Sequence, residues 1–113
     1  MKARPRLTRK LVLEAALRLP DGAGGVTQSW EVLGTLWAEL SARAGREAEA
    51  EGVSVARAGY RITVRAAPQG AVSRPEAGQR LRDGARIFAI LSVTEADAAG
   101  RYLSLWAQEE VVQ

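Results

Sequence analysis

The side chains that could do chemistry in this chain are charged and hydroxyl groups, for its 113 residues include neither cysteine nor histidine. That removes thiolate nucleophiles, a disulfide framework, and the imidazole that most often serves as general base or metal ligand. Ser, Asp, Glu and Lys are present, but no spacing among them matches a nucleophile elbow, a carboxylate metal site or a phosphate loop. Gly22, Gly24 and Gly25 are not followed by the Lys-Ser/Thr pair of a P-loop. The sequence therefore predicts no enzyme, no cofactor and no bound metal, and turns attention to what charge and surface can do.

Charge is unevenly placed. Lys2, Arg4, Arg6, Arg9 and Lys10 carry five positive charges with no acid among them, leaving eleven basic against thirteen acidic residues in the remainder. The formal charge of +3 is thus the property of an N-terminal arm on a slightly acidic body. Such an arm binds phosphates or an acidic protein surface with salt-dependent affinity, or it is a solvated tail. Arg61 and Arg65 share an outward strand face, where they either meet a neighbouring chain's acids or sit in water. Trp37 lies among polar residues and is the best aromatic candidate for an interface, whereas Trp30 and Trp106 read as core or barrel-rim residues. A second charged group, Arg43, Arg46, Glu47, Glu49 and Glu51, falls in one Ala- and Glu-rich stretch that reads as a solvated helix with salt bridges between neighbours.

Strands must position these residues. Leu11, Leu13, Ala15, Leu17 and Leu19 alternate with Val12, Glu14, Ala16 and Arg18, a period-2 pattern that competes with the helical spacing of Leu7, Leu11 and Ala15. The turn signal Asp21-Gly22-Ala23-Gly24-Gly25 decides for a hairpin. In its return strand Leu36, Ala38, Leu40 and Ala42 share the core face, Trp37 takes the other, and Gly34 is the expected site of a bulge. Ser41 to Gly52 is expected as a short helix or long loop, then Val53-Ser54-Val55 and Tyr60 to Arg65 as strand, with Tyr60, Ile62 and Val64 inward. Pro68 to Gln79 reads as an exposed loop. Ala85 to Val93 reads as a strand buried on both faces, and Arg101 to Ala107 as the closing strand after the turn at Asp97-Gly100. The result is a mainly β fold, a small antiparallel β-barrel with a short helix or long loop inserted after the second strand. Residues 1–10 form the basic arm and 11–113 one barrel domain. No apolar run approaches the ~18 residues of a membrane helix.

Laid out as D-G-x-G-G-x-T-x-x-W followed by L-W-A-x-L, the segment from Asp21 to Leu40 resembles the N-terminal signature of the tailed-phage head-tail joining family, the small head-closure or stopper proteins. Gly45-Arg46-Glu47 is similar to the family's G-R-E element, and Tyr60 to Arg65 to its H-R-V-T-I-R strand, with Tyr60 where histidine is common. Arg86-Ile87-Phe88-Ala89-Ile90 is similar to its R-x-F-x-I strand, and all these elements occur in the family's order. Within the family the likeness extends to the head-tail adaptors or stoppers of alphaproteobacterial gene transfer agents, phage-like particles that package host DNA.

This resemblance implies a subunit of a ring between portal-adaptor and tail, with a central channel for double-stranded DNA and a loop that gates it. Sixfold symmetry is favoured over twelvefold, since a tail tube imposes six. The portal-adaptor ring and the tail terminator or tail tube are the implied partners, and bacterial cytoplasm followed by the particle neck is the implied location. By position the gating segment is Ser41 to Gly52. Glu47, Glu49 and Glu51 would repel DNA phosphates, and Arg43 and Arg46 would make a few reversible contacts. The alternative function is a small nucleic-acid-binding barrel of the OB or Sm-like type. That reading asks for exposed aromatics interleaved with basic residues on one face, whereas aromatics here are few.

Overall fold

In the computed structural model, residues 4–43 and 59–110 are described. They form six strands: β1 (Arg9–Pro20), β2 (Val26–Arg43), β3 (Gly59–Arg65), β4 (Arg80–Asp83), β5 (Arg86–Glu95) and β6 (Tyr102–Glu109). All neighbours are antiparallel, and the sheet closes on itself in the order β1-β2-β3-β6-β5-β4. The expected mainly β, ring-closed architecture is thus the one observed. Of the expected insertion, a short helix or long loop after the second strand, no helix is seen among the described residues; residues 44–58, which hold most of it and Val53-Ser54-Val55, lie outside them.

Alternation builds the interior. Leu11 and Leu13, Ala38, Ile62 and Val64, Leu81, Phe88 and Ile90, and Leu103, Leu105 and Ala107 point inward from all six strands and form one buried cluster. Tyr60 packs against it, its ring edge-on to Phe88 with centroids 5.1 Å apart. The strand β4 was not expected, because Arg80-Leu81-Arg82-Asp83 offers a single apolar residue. It forms by pairing with β5 around Gly84, whose φ of 60° suits glycine, and Leu81 completes the core.

The ring is closed by only three register pairs, Val12, Leu13 and Glu14 of β1 against Arg82, Leu81 and Arg80 of β4. Beyond Glu14, β1 pairs with β2 alone among the described residues, so the hairpin projects from the barrel and the molecule extends 57 × 33 × 23 Å. A bulge at the root leaves Leu33 unpaired, next to the expected Gly34. At the tip, Asp21 Oδ1 accepts hydrogen bonds from the backbone N–H of Ala23 (2.7 Å) and Gly25 (3.0 Å), while Gly22 and Gly24 take φ of 81° and 85°. These two backbone donors hold the Asp21 carboxyl below its ordinary pKa.

Four expectations are corrected. Leu17 and Leu19, read as continuing the core face, are exposed because no strand among the described residues covers the projecting hairpin. Ser41 to Arg43, read as the start of the insertion, continue β2 and pair with Arg61, Tyr60 and Gly59. Leu91 is exposed at the bulge between Ile90 and Ser92, so β5 is buried on one face only. The segment Pro68 to Gln79 lacks strand but is not wholly exposed: Pro75 is fully buried and Arg74 Nη1 donates to the Ala67 carbonyl at 2.8 Å.

Candidate interaction surface

Register places the outward residues of β3 beside those of β6: Arg61 faces Trp106, Thr63 faces Ser104 and Arg65 faces Tyr102. Side chains directly opposite on one face lie within reach of each other. Arg61 Nη1 donates to Ser104 Oγ at 2.5 Å, and its guanidinium lies over the Trp106 ring, 5.2 Å from the centroid. Arg61 is therefore engaged within its own barrel. Trp106 is 3% exposed yet points away from the inward cluster, and its Nε1 has no hydrogen-bond partner among the described residues. Arg65 is exposed, with its guanidinium 5.7 Å from the Tyr102 ring centroid.

The basic N-terminal residues divide on inspection. Arg9 and Lys10 belong to β1, and Arg9 Nη2 is 2.6 Å from Asp83 Oδ2, an ion pair bridging the first strand to the fourth. Lys10 is the register partner of Trp37, and both stand on the outer face, Trp37 with 55% of its surface exposed. Ahead of the strand, the Arg6 backbone N–H donates to Glu39 Oε2 at 2.8 Å, and the Thr8 N–H to the Arg6 carbonyl at 3.0 Å. These bonds lay the segment from Arg4 along the barrel wall, where Arg4 joins Arg65 beside Asp97 and Tyr102. Lys2 lies outside the described residues, as do Arg46, Glu47, Glu49 and Glu51 of the second charged group. Arg43 ends β2, its Nη1 donating to Ser41 Oγ at 2.6 Å and to the Ala42 carbonyl at 3.3 Å.

Two charged clusters escape a reading of the sequence by segments. At the root of the hairpin Glu14 is 4% exposed and accepts from Arg80 Nε at 2.7 Å and Arg82 Nε at 2.9 Å. Burial opposes its ionisation, but the bonds and charges of the two arginines outweigh this and hold the carboxyl below its ordinary pKa. Arg80 in turn stacks on Trp30, 4.0 Å from the ring centroid, so Trp30 fixes the hairpin to the barrel and is no part of the core. At the far end, Arg86 donates from Nε to Glu109 Oε2 (2.8 Å) and from Nη2 to Tyr60 Oη (3.1 Å). That arginine bond, with burial working against it, keeps Glu109 ionised to below its ordinary pKa. In the sequence, the Arg80-Leu81-Arg82 alternation puts two cations on one strand face but does not mark Glu14 as their partner.

The outer aromatics do not make a base-stacking platform. Trp106 is buried, Tyr102 lies beneath the chain's own Arg65, and Trp30 beneath Arg80, so Trp37 is left as a lone exposed tryptophan among the described residues. What stands open to solvent instead is Trp37, the projecting hairpin with Leu17, Leu19 and Val26, and the arginines gathered near Tyr102. No group of carboxylates among the described residues is placed to hold a metal ion.

Comparison with known proteins follows the same line. Residues 2–110 match the family model described as phage head completion protein. A chain in the structure titled "Virion of native gene transfer agent (GTA) particle" is 51% identical, with a TM-score of 0.77, 97% of this chain and 100% of that one being covered. A Shigella flexneri 2a protein known from its solution structure is similar in fold, at 22% identity and a TM-score of 0.70 over 96% of this chain and 97% of that one. Among curated protein sequences none is similar enough to match.

Proposed function

Because this chain belongs to the phage head completion protein family, we propose that it is a structural subunit of the head-tail connection in a phage-like particle of the gene transfer agent kind. The observation that carries this reading is the likeness over nearly the full length of both chains, at 51% identity, to a component of a gene transfer agent virion. It is a non-enzymatic role, served by surfaces that a lone subunit leaves uncovered. Trp37 and the hairpin residues Leu17, Leu19 and Val26 are apolar groups in water here, and association with other head and tail proteins would bury them.

The finer reading is a ring of this subunit, sixfold before twelvefold, seated between portal-adaptor and tail terminator or tail tube, with double-stranded DNA passing through its channel. The N-terminal segment, with Lys2, Arg4 and Arg6, and the outer residues Lys10, Trp37 and Arg65 make its partner contacts; Arg9 and Arg61 brace them from within. The acidic insertion with Glu47, Glu49 and Glu51, flanked by Arg43 and Arg46, gates the channel by charge. Assembly takes place in the bacterial cytoplasm, and the mature location is the particle neck.

The test is to delete the gene from a producing strain and image the particles. Filled heads without tails, restored to tailed particles by the chain supplied in trans, are the expected result. Normal tailed particles in its absence would remove the connector role. Charge reversal of Glu47, Glu49 and Glu51 to lysine tests the gate: heads should fill and tails attach, while DNA release slows.

A further inference from the structure

At the end of the barrel where β3 stops and β6 begins there is a cleft of about 400 Å³, lined by Arg4, Arg65 and Arg101 around Asp97 and Tyr102. Three arginines thus line a concave site whose one acidic residue among the described residues is Asp97, and that carboxylate is already occupied. Asp97 Oδ1 accepts from the backbone N–H of Arg101 at 2.8 Å and of Tyr102 at 3.1 Å, while Oδ2 lies 3.5 Å from Arg101 Nε. Burial works against ionisation of Asp97, but these bonds prevail and its carboxyl is held below the ordinary pKa. Among the described residues Arg4 and Arg65 have no acidic partner.

The walls are built by backbone, so the site does not depend on side-chain chance. The Ala96 N–H donates to the Tyr102 carbonyl and the Ala66 N–H to the Arg101 carbonyl, both at 2.9 Å. The intervening turn is closed by the Gly100 N–H on the Asp97 carbonyl at 3.1 Å, with Gly100 at a φ of 67°. Arg65 is steadied over the Tyr102 ring. Pro5, Ala96 and the Tyr102 ring give the cleft an apolar side as well.

We propose that this cleft receives the carboxylate side chain of an acidic segment, with an apolar residue beside it, from an adjoining protein chain. Guanidinium forks bind a planar carboxylate in two parallel hydrogen bonds, and the apolar wall suits the neighbouring side chain. A duplex presents its phosphates on convex ridges, which a small concave site does not admit, so the geometry favours protein over DNA. The assignment rests on the connector reading for the source of the segment, and on this chain alone for the binding.

The test uses the isolated full-length chain and a short synthetic peptide of alternating aspartate and leucine, followed by amide chemical shifts and titration calorimetry. Saturable shifts are expected at Arg65, Asp97 and Tyr102. Arg65→Gln and Arg101→Gln should each weaken binding about tenfold, the cost of one charge-assisted hydrogen-bonding partner. Both arginines are exposed, so the variants keep the fold, which their far-ultraviolet spectra check. The same peptide with asparagine in place of aspartate should not bind. Absence of shifts, indifference to the arginine variants, or equal binding of the asparagine peptide overturns the proposal. So does tighter binding of short duplex DNA through the same amides, which would make this a phosphate site. Particles that lose their tails without this chain, together with a silent peptide titration, would sink the cleft while leaving the connector standing.

Discussion

Glu14 and Arg80 stand opposite each other in the strand pair that closes the barrel, and the carboxylate of the first accepts a 2.7 Å hydrogen bond from the guanidinium of the second. A charged residue in a strand usually faces water; this one is buried where the ring needs a joint. With Arg82 on its other oxygen, Glu14 holds β1 to β4 in a fixed register at the bend where the hairpin departs. Glu14→Gln should therefore cost about 3 kcal/mol, the lower end for breaking a buried pair because Arg82 is partly solvated. Urea denaturation measures it, and a loss below about 1 kcal/mol would make the joint incidental.

Acid should loosen the fold by the same route. Glu14 and Glu109 both have folded-state pKa values below the ordinary one, so their contribution is complete above the unfolded value, near 4.5, and is lost as pH falls through the folded values. The chain has no histidine to titrate near neutrality. The denaturation midpoint should be flat from roughly pH 8 to 5 and drop below that. Glu14→Gln should flatten the acid limb, and a limb unchanged in the variant would assign it to other carboxyls.

The hairpin tip depends on two left-handed glycines. Gly22→Ala and Gly24→Ala meet no atom within 4 Å, so their cost is conformational alone, about 1 kcal/mol each. Gly25→Ala differs in kind, since its Cβ would come 2.5 Å from Asp21 Oδ2 and push aside the side chain that caps the turn. Amide exchange at Ala23 and Gly25 separates the two effects: faster at Ala23 in Gly25→Ala even where overall stability is matched.

Trp37 should matter to assembly and not to folding. With 55% of its surface in water, Trp37→Gln should change the denaturation free energy by less than about 0.5 kcal/mol. Particles carrying it should show fewer attached tails. A large stability loss with normal attachment would return Trp37 to the barrel.

The core was legible in the sequence wherever alternation coincided with two-sided pairing. Tyr60, Ile62 and Val64, and Leu103 and Leu105, point inward as their pattern requires, and Trp37 points out. Leu17 and Leu19 follow the same pattern and are nevertheless exposed, because periodicity reports which face is apolar and not whether anything covers it. Glu14 reads as an outward residue by alternation, and its burial follows from the arginines of a strand with too little apolar content to be foreseen. The arginine cleft joins Arg4, Arg65 and Arg101, which the β3–β6 pairing and the bond from Arg6 to Glu39 bring together across long stretches of sequence. Nothing in their local sequence marks them as a set.

The long hairpin has a mechanical meaning. It is rooted beside a seam of three residue pairs, while every other strand junction on the way round the ring is longer. A load applied at Gly24 travels down two strands and arrives first at that seam, as torque about Glu14. Traction on the tip would act through β1 on the three-pair β1–β4 seam before it reached the longer junctions of the barrel.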